Sequence, residues 1–176
     1  MRQLRNPRIW LGVLGALVVL ILVGGFVTYL FAPKVFAAPE QPINFPHSVM
    51  VKAGITCLYC HTDAQRGPAA GMPSVEKCVG CHRVINPDNA EVKKIFTYWD
   101  QNKPIPWVRV NELPRFVYFS HQAHLAAGFN CERCHGDVGN MTVDTPVVNM
   151  NMGWCLSCHE QQPNAQQLMD CVICHK

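Results

Sequence analysis

The chain begins with one long apolar segment and continues as an irregular mixture of apolar and polar residues. The apolar segment is an uncharged run that extends from residue 9 to residue 33. At about 1.5 Å of rise per residue, a helix of this length crosses a bilayer with some tilt. After residue 40, no period of 2 or 3.6 residues is sustained. The pattern predicts a cytoplasmic tip and an anchor helix within residues 1–34, followed by a separate domain at residues 35–176.

The charges that flank this run predict its orientation. The flanking basic residues are Arg2, Arg5 and Arg8 before the run and Lys34 after it. Basic residues collect on the cytoplasmic side, so we expect a single-pass anchor in the cytoplasmic membrane, with residues 35–176 on the periplasmic (extracytoplasmic) side. A cleaved signal peptide is the alternative, because residues 35–37 (Val-Phe-Ala) suit a cleavage site. The run is about twice the ~7–15 apolar residues of a signal sequence, which favours an uncleaved anchor.

All ten cysteines fall in five copies of one motif, C-x-x-C-H, and none is left over. The cysteines are Cys57, Cys60, Cys78, Cys81, Cys131, Cys134, Cys155, Cys158, Cys171 and Cys174, and the histidines are His61, His82, His135, His159 and His175. Two thiols three residues apart can add to two vinyl groups of a porphyrin, and the adjacent imidazole can bind its iron as proximal ligand. Zinc knuckles, redox dithiols and disulfides do not require this histidine. The motifs therefore predict five covalently bound haem c groups.

The composition of the domain fits a fold built around such cofactors. Residues 35–176 hold 11 Lys/Arg and 12 Asp/Glu, with no basic run and no interleaving of basic and aromatic residues, so nothing suggests nucleic-acid binding. Five haems leave roughly 28 residues for each, too few for a large core of side chains. We expect a mostly α and irregular multihaem cytochrome c domain, with little regular secondary structure, almost no sheet, and the haems as its core.

An internal repeat organises the domain. Residues 45–50 (Phe-Pro-His-Ser-Val-Met) precede the first motif as residues 119–124 (Phe-Ser-His-Gln-Ala-His) precede the third. Each half then supplies a further motif. The predicted parts are the repeat halves at residues 43–82 and 117–159, a haem-free connector at 83–116 with an extended stretch at 103–107, and the fifth motif at 171–175.

The repeat also indicates distal iron ligands. Only His47, His121 and His124 lie outside the motifs, and all three stand at equivalent places before a motif. Because His121 and His124 are three apart, a helical turn puts both on one face, and we expect them to serve two different haems. Two irons then lack histidine, and methionine is the other common ligand. Met50 takes the place of His124 in the repeat; the other methionines of the domain are Met72, Met141, Met150, Met152 and Met169.

These patterns resemble a known family. The double F-x-H-x-x-[H/M] pattern with five C-x-x-C-H motifs resembles the cytochrome c3/c7 superfamily. Residues 105–114 (Ile-Pro-Trp-Val-Arg-Val-Asn-Glu-Leu-Pro), 116–121 (Phe-Val-Tyr-Phe-Ser-His) and 152–159 (Met-Gly-Trp-Cys-Leu-Ser-Cys-His) are similar to the pentahaem c-type cytochrome subunit of bacterial alternative complex III. The resemblance covers essentially the whole chain. It implies Met152 as a distal ligand, whereas that family usually has histidine at the position of Met50.

The resemblance implies a role as an electron-transfer subunit that makes no bonds itself and carries no catalytic residue. The complex would be a quinol:electron-acceptor oxidoreductase. Its other parts would be an iron–sulfur subunit beside the haem domain and polytopic quinol-binding subunits around the anchor. A monohaem cytochrome c or another soluble carrier would take the electrons onward.

Two other functions remain open from the sequence. A stand-alone quinol dehydrogenase of the NapC/NirT type also has one anchor and several haems, but typically four core haems and no Pro-Trp connector. A multihaem reductase of a small molecule would need an iron with an open coordination site. Three histidines and several well-placed methionines can instead fill every site.

Overall fold

The described part of the first unit is one long helix. The computed structural model describes residues 7–31 and 38–175, and the chain divides into two units, Met1–Lys34 and Val35–Lys176. Helix α1 (Pro7–Phe31) contains the stretch Ile9–Tyr29, which is long and apolar enough to cross a membrane. The apolar side chains of this stretch are exposed, as expected of a helix that would meet lipid. By length and composition, a transmembrane span and a signal sequence both fit.

The charges that predict the orientation of α1 fall at the edge of this unit. Arg2, Arg5 and Lys34 lie outside the described residues, as do residues 35–37, and the side chain of Arg8 is not described. The orientation therefore stays a prediction from the sequence.

Short helices joined by irregular segments make up the second unit. The α-helices are α2 (His47–Lys52), α3 (Cys57–Cys60), α4 (Val75–His82), α5 (Ala90–Asp100), α6 (His121–Ala126), α7 (Glu132–His135), α8 (Met152–His159), α9 (Ala165–Leu168) and α10 (Cys171–Cys174). The first 3-10 turn (Thr62–Gln65) follows the first motif, and the second 3-10 turn (Val138–Asn140) follows the third motif. Residues 38–175 contain no β-strand. The prediction of a mostly helical and irregular domain is confirmed.

The connector between the repeat halves corrects one expectation. The expected lack of a sustained helical period was wrong for α5, an amphipathic helix of 11 residues in which Val92 and Ile95 are buried. The side chain of Asn89 caps it by accepting hydrogen bonds from the backbone N–H groups of Glu91 and Val92. Apolar residues at 92, 95, 96 and 99 have the i, i+3, i+4, i+7 spacing of a helix. The predicted extended stretch lies in residues 103–109, which have no regular secondary structure.

The connector supplies half of the buried apolar core. Ile43, Val79, Ile95 and Ile105 form one cluster and are 2–7% exposed. α5 packs on α4, which carries the second motif, so this cluster lies beside that motif. Among the described residues from 106 to 175, none is buried. The chain's own apolar side chains therefore form a core in only one part of the domain.

The two repeat halves interlock. α2 of the first half packs against the second 3-10 turn, and α6 of the second half packs against the first 3-10 turn. The backbone N–H of Ser48 donates to the carbonyl of Met141 at 3.0 Å, and that of Gln122 donates to the carbonyl of Gly67 at 3.2 Å. The repeat relates Ser48 to Gln122 and Gly67 to Met141, so the two contacts are equivalent. The first helix of each half therefore packs against the other half, and the two halves are related by a pseudo-two-fold axis.

Candidate haem centres

Each C-x-x-C-H motif is built on a helical turn. In the first, third and fifth motifs, the backbone N–H of the histidine donates to the carbonyl of the first cysteine at 2.9–3.0 Å. The second and fourth motifs are the last residues of the eight-residue helices α4 and α8. Thiols three residues apart lie on the same face of such a turn. The motif geometry therefore suits attachment of both thiols to one flat cofactor.

The thiols and imidazoles are not arranged as closed metal sites. All ten cysteines are free thiols. Within the described residues, no group of three or more His, Cys, Asp or Glu side chains is placed to hold a metal ion. A structural zinc site needs about four such ligands around one point. Each motif instead offers two thiols and one imidazole along one edge, which is the donor set of a covalent haem.

Hydrogen bonds orient six imidazoles in the same manner. The Nδ1 atom of each faces a backbone carbonyl, so it must carry the proton and donate it. The pairs are His61 with Gly71 (2.8 Å), His82 with Ile85 (3.0 Å), His121 with Pro68 (2.7 Å), His124 with Ser120 (2.8 Å), His159 with Leu168 (3.3 Å) and His175 with Phe116 (3.2 Å). With the proton on Nδ1, the Nε2 lone pair is free to bind a metal. These imidazoles are therefore held in the tautomer that a haem iron requires.

Two pairs of imidazoles face each other across a distance that fits an iron between them. The ring centroids of His121 and His135 are 6.3 Å apart with an interplanar angle of 7°. Those of His124 and His159 are 6.1 Å apart with an angle of 26°. Because metal–imidazole bonds are about 2.0–2.1 Å long, two imidazoles on opposite sides of one metal ion have centroids roughly 6 Å apart.

Phenylalanine rings hold the histidines outside the motifs. Phe45 contacts His47 edge-on at 5.0 Å and 88°, and Phe119 contacts His121 edge-on at 4.8 Å and 89°. Phe119 also stacks on His124 at 4.6 Å. The equal geometry at the two repeat positions extends the pseudo-two-fold relation to side chains. In the sequence these phenylalanines stood out only as part of the repeat; their constant place two residues before a histidine was the signal for a packing role.

His47 occupies the position in the first half that His121 occupies in the second. Burial lowers the pKa of its imidazole, with a smaller effect in the same direction from nearby His61. Burial is also the main reason why the pKa of His135 is lowered, followed by nearby His121. Thus His47, which lies outside the motifs, has the motif histidine His61 as a neighbour. The motif histidine His135 has His121, which lies outside the motifs, as a neighbour. Burial thus disfavours the charged form of both imidazoles, and a neutral imidazole is the metal-binding form.

Neighbouring thiols connect the motifs in a definite order. Burial raises the pKa of several thiols, and for four of them a thiol of another motif is the next largest cause of the increase. The neighbours are Cys60 for Cys78, Cys57 for Cys131, Cys158 for Cys134 and Cys174 for Cys155. A hydrogen bond of 2.6 Å from the amino group of Lys77 to the carbonyl of Tyr59 also joins the second motif to the first. These neighbours link the second motif to the first, the first to the third, the third to the fourth and the fourth to the fifth.

The two methionines singled out as ligands lie in different surroundings. Met50 is partly buried in α2, at the position equivalent to His124 in α6. Met152 is the first residue of α8 and is 62% exposed. It lies one turn before Cys155 and therefore on the same helix face, and Cys155 is the thiol that neighbours the fifth motif. Neither methionine has a ring contact or hydrogen bond that fixes its sulfur against an imidazole in the way that the histidine pairs are fixed.

Comparisons with known proteins agree with this geometry. Residues 117–176 match the family model described as cytochrome c7 and related cytochrome c. The chain is 26% identical over 167 residues to the high-molecular-weight cytochrome c of Nitratidesulfovibrio vulgaris, a match that covers 77% of this chain and 29% of that protein. It is 30% identical over 171 residues to the multihaem cytochrome c subunit of menaquinone reductase from the same organism, covering 83% of this chain and 81% of that subunit. Identity at this level over most of both chains places the protein in the same multihaem cytochrome c family as the menaquinone reductase subunit.

Proposed function

We propose that this chain is a membrane-anchored electron-transfer subunit that holds five covalent haems and exchanges electrons with a quinone-reacting membrane complex. The domain organisation proposed is an anchor at residues 1–34 and a haem domain at 35–176. Bound haem would supply one-electron iron chemistry, while the chain binds, spaces and ligates the irons. The observation that carries the proposal is the pair of facing imidazoles, His121–His135 and His124–His159. An iron with two imidazole ligands has no open site for a substrate and is suited to electron transfer.

The proposed ligand set follows from the repeat and the neighbours of each motif. His121 would serve the iron of His135, and His124 the iron of His159. His47 would serve the iron of His61, because the repeat relates these two residues to an imidazole pair that fits one iron. This assignment explains why helix α6 bears two free histidines on one face: it lies between the third and fourth motifs.

Methionine sulfur would complete the remaining two irons. Met50 would serve the iron of His82, since α2 and α4 stand in the first half where α6 and α8 stand in the second. Met152 would serve the iron of His175, because it lies on the face of α8 whose thiol neighbours the fifth motif. Thioether is a weaker donor to ferric iron than imidazole, so these two irons would have the higher potentials.

The order of the motifs supports a relay role. A relay needs neighbouring cofactors from one end to the other, and the thiol neighbours link each motif to at least one other. The second motif would lie at one end, beside the core built by α5, and the fifth at the other. These ends would be the places where electrons enter from or leave to other proteins.

The proposed partners follow from the relative and from the resemblance to alternative complex III. The relative's name attaches it to a menaquinone reductase, so we propose menaquinone as the quinone class. An iron–sulfur subunit, polytopic quinol-binding subunits and a monohaem cytochrome c or other soluble carrier would be the partners. The anchor would span the cytoplasmic membrane, with residues 35–176 outside the cytoplasm, because arginines precede α1.

Intact mass and absorbance of single variants test the ligand set. The mass of the purified protein should exceed that of its polypeptide by five haems, and a smaller excess would contradict the count. His121→Ala and His124→Ala should each convert one haem, and a different one in each variant, from low-spin to high-spin. Gln122→Ala, on the same helix but facing away from a motif, serves as the control and should change no haem. Loss of low-spin signal from the same haem in both variants would disprove the pairing.

Partners isolated with the anchored protein test the role in a complex. Mild solubilisation and pulldown should recover polytopic subunits, together with menaquinol-dependent reduction of the haems. Recovery of the chain alone, still active with menaquinol, would instead support a stand-alone quinol dehydrogenase. A stable high-spin haem that binds nitrite in the wild-type protein would support a small-molecule reductase.

A further inference from the structure

One imidazole in the described part of the chain has no hydrogen-bond partner at its Nδ1 atom. The Nδ1 atom of His47 is buried and has no hydrogen-bond partner among the described residues. Its repeat equivalent, His121, donates from Nδ1 to the Pro68 carbonyl at 2.7 Å. Leaving a buried polar group without a partner is unfavourable. A proposed iron ligand that lacks this bond does not have a fixed tautomer.

A short segment joins His47 to the third motif. At its start, the carbonyl of Met141 accepts a hydrogen bond from the backbone N–H of Ser48, the residue after His47. At its end, the side chain of Val147 lies against Gly136, the residue after His135; a Cβ at Gly136 would be 2.7 Å from the Cγ1 atom of Val147. Residues 141–147 therefore run from the ligand helix of the first half to the motif of the second half.

The middle of this segment carries a carboxylate. Asp144 is three residues from each end and is only partly exposed. Its repeat equivalent is Ala70, so the first half has no matching charge. Burial lowers the pKa of both His47 and His135, and the charge of Asp144 opposes that decrease in both cases. The two end contacts of the segment thus hold Asp144 in the stretch that joins the neighbour of His47 to the neighbour of His135, and its charge acts on both imidazoles.

We propose that Asp144 is a positioning residue that accepts the Nδ1 hydrogen of His47 in the haem-loaded protein and favours the ferric state of the first and third centres. This inference rests on the proposed ligation of those centres. A carboxylate behind a metal-bound imidazole fixes its tautomer and strengthens it as a donor. A negative charge near two irons also stabilises the more positive oxidation state of each. Asp144 would thus accept the Nδ1 hydrogen of His47 in the first half, as the Pro68 carbonyl accepts that of His121 in the second half.

An optical redox titration of the holoprotein tests the role of Asp144. Asp144→Asn removes the charge but keeps an oxygen that can accept the hydrogen bond. We expect the midpoint potentials of two components to rise, by about tenfold in the reduction equilibrium, or about 59 mV for a one-electron couple. Asp144→Ala removes both charge and acceptor, so one of those two components should rise further. Asp144→Glu keeps both and should leave the potentials near those of the wild type.

Controls separate this inference from the ligation on which it rests. Glu160→Gln makes the same charge change on an exposed residue beside the fourth motif, and screening by solvent should leave the potentials unmoved. If Asp144→Asn shifts no component while all haems stay low-spin, the role of Asp144 is wrong and the ligation stands. If the wild-type protein contains high-spin haem at the first or third motif, the ligation itself is wrong. A shift of equal size in Glu160→Gln would also overturn the inference.

Discussion

The two parts of the domain obtain their order from different sources. The first region, residues 38–116, contains every buried residue of the described domain, including the cluster of Ile43, Val79, Ile95 and Ile105. The second region, residues 117–175, has no buried residue within its described positions, yet it contains both facing imidazole pairs. Packed side chains therefore order the first region, and we propose that cofactor ligands take over this role in the second. A multihaem domain needs few apolar side chains because each macrocycle is itself a large apolar surface.

Charge separates the same two regions. Residues 38–116 carry nine Lys/Arg and seven Asp/Glu, whereas residues 117–175 carry one Lys/Arg and five Asp/Glu. The regions contain opposite ends of the motif order, with the second motif in the first region and the fifth in the second. Complementary charge guides docking between electron carriers. The two regions therefore carry net charges of opposite sign, and we predict that they attract different partners.

Loss of haem attachment should affect the second region most strongly. In Cys155→Ala/Cys158→Ala, the fourth motif cannot hold its cofactor, and no side-chain core remains nearby to order residues 117–175. In the matched variant Cys78→Ala/Cys81→Ala, the cluster around Ile95 remains. We expect limited proteolysis with peptide mapping to show rapid cleavage of residues 117–175 in the first variant and much slower cleavage of residues 38–116 in the second. Equal protection of both regions would contradict the comparison.

Removing a side chain from the apolar cluster should destabilise the domain through the first region. Ile95→Ala leaves a cavity beside Val79 and Ile105, and such changes cost about 2–5 kcal/mol. Val143→Ala makes a similar change in the second region at a side chain that is 51% exposed, so its effect on the free energy of unfolding should be within about 0.5 kcal/mol. Denaturant titration of both holoproteins measures the difference. A large effect of Val143→Ala would show a packed core in the second region after all.

Two glycines at equivalent repeat positions should lose the same amount of stability on substitution by alanine, despite the differences between the two regions. Gly54 and Gly128 end α2 and α6 with φ angles of +84° and +86°, and neither would meet an atom within 4 Å if it bore a Cβ. Backbone strain alone therefore decides the effect of alanine, at about 1–2 kcal/mol for each. Denaturant titration of Gly54→Ala and Gly128→Ala should give similar losses. Unequal losses would mean that the repeat halves are not equivalent at these turns.

Met50 and His124 are proposed ligands at equivalent positions of the two repeat halves. Exchanging their residue types should change the potentials of two haems in opposite directions, with little effect on the stability of the domain. Met50→His gives the first region the residue found in the second, and it should lower the potential of one haem because imidazole favours ferric iron. His124→Met makes the reverse change and should raise the potential of another haem. Redox titration measures both, and the near-infrared band of methionine-ligated ferric haem should weaken in the first variant and strengthen in the second. If Met50→His moves no potential, Met72 or Met150 becomes the next candidate ligand.

The motifs and the repeat could be identified from the sequence because covalent haem attachment is encoded locally. Five C-x-x-C-H motifs and the histidines at 47, 121 and 124 need only a few adjacent residues to be recognised. The helical, irregular character of the domain followed from the same motifs. Helix α5 was missed because a single helix of three turns is a weak periodic signal, although its Asn89 cap and apolar spacing were present.

The sequence by itself determined which residues can attach and ligate haem, because those rules depend on spacing along the chain. Only the tertiary structure decided which imidazoles face each other, how α2 and α6 exchange between the halves, and in what order the motifs lie. It also decided that the segment containing Asp144 joins the neighbours of His47 and His135, which are 97 and 9 positions away from Asp144. Such pairings join parts of the chain that are distant in sequence, and local spacing cannot specify them. They depend on how the two halves pack against each other.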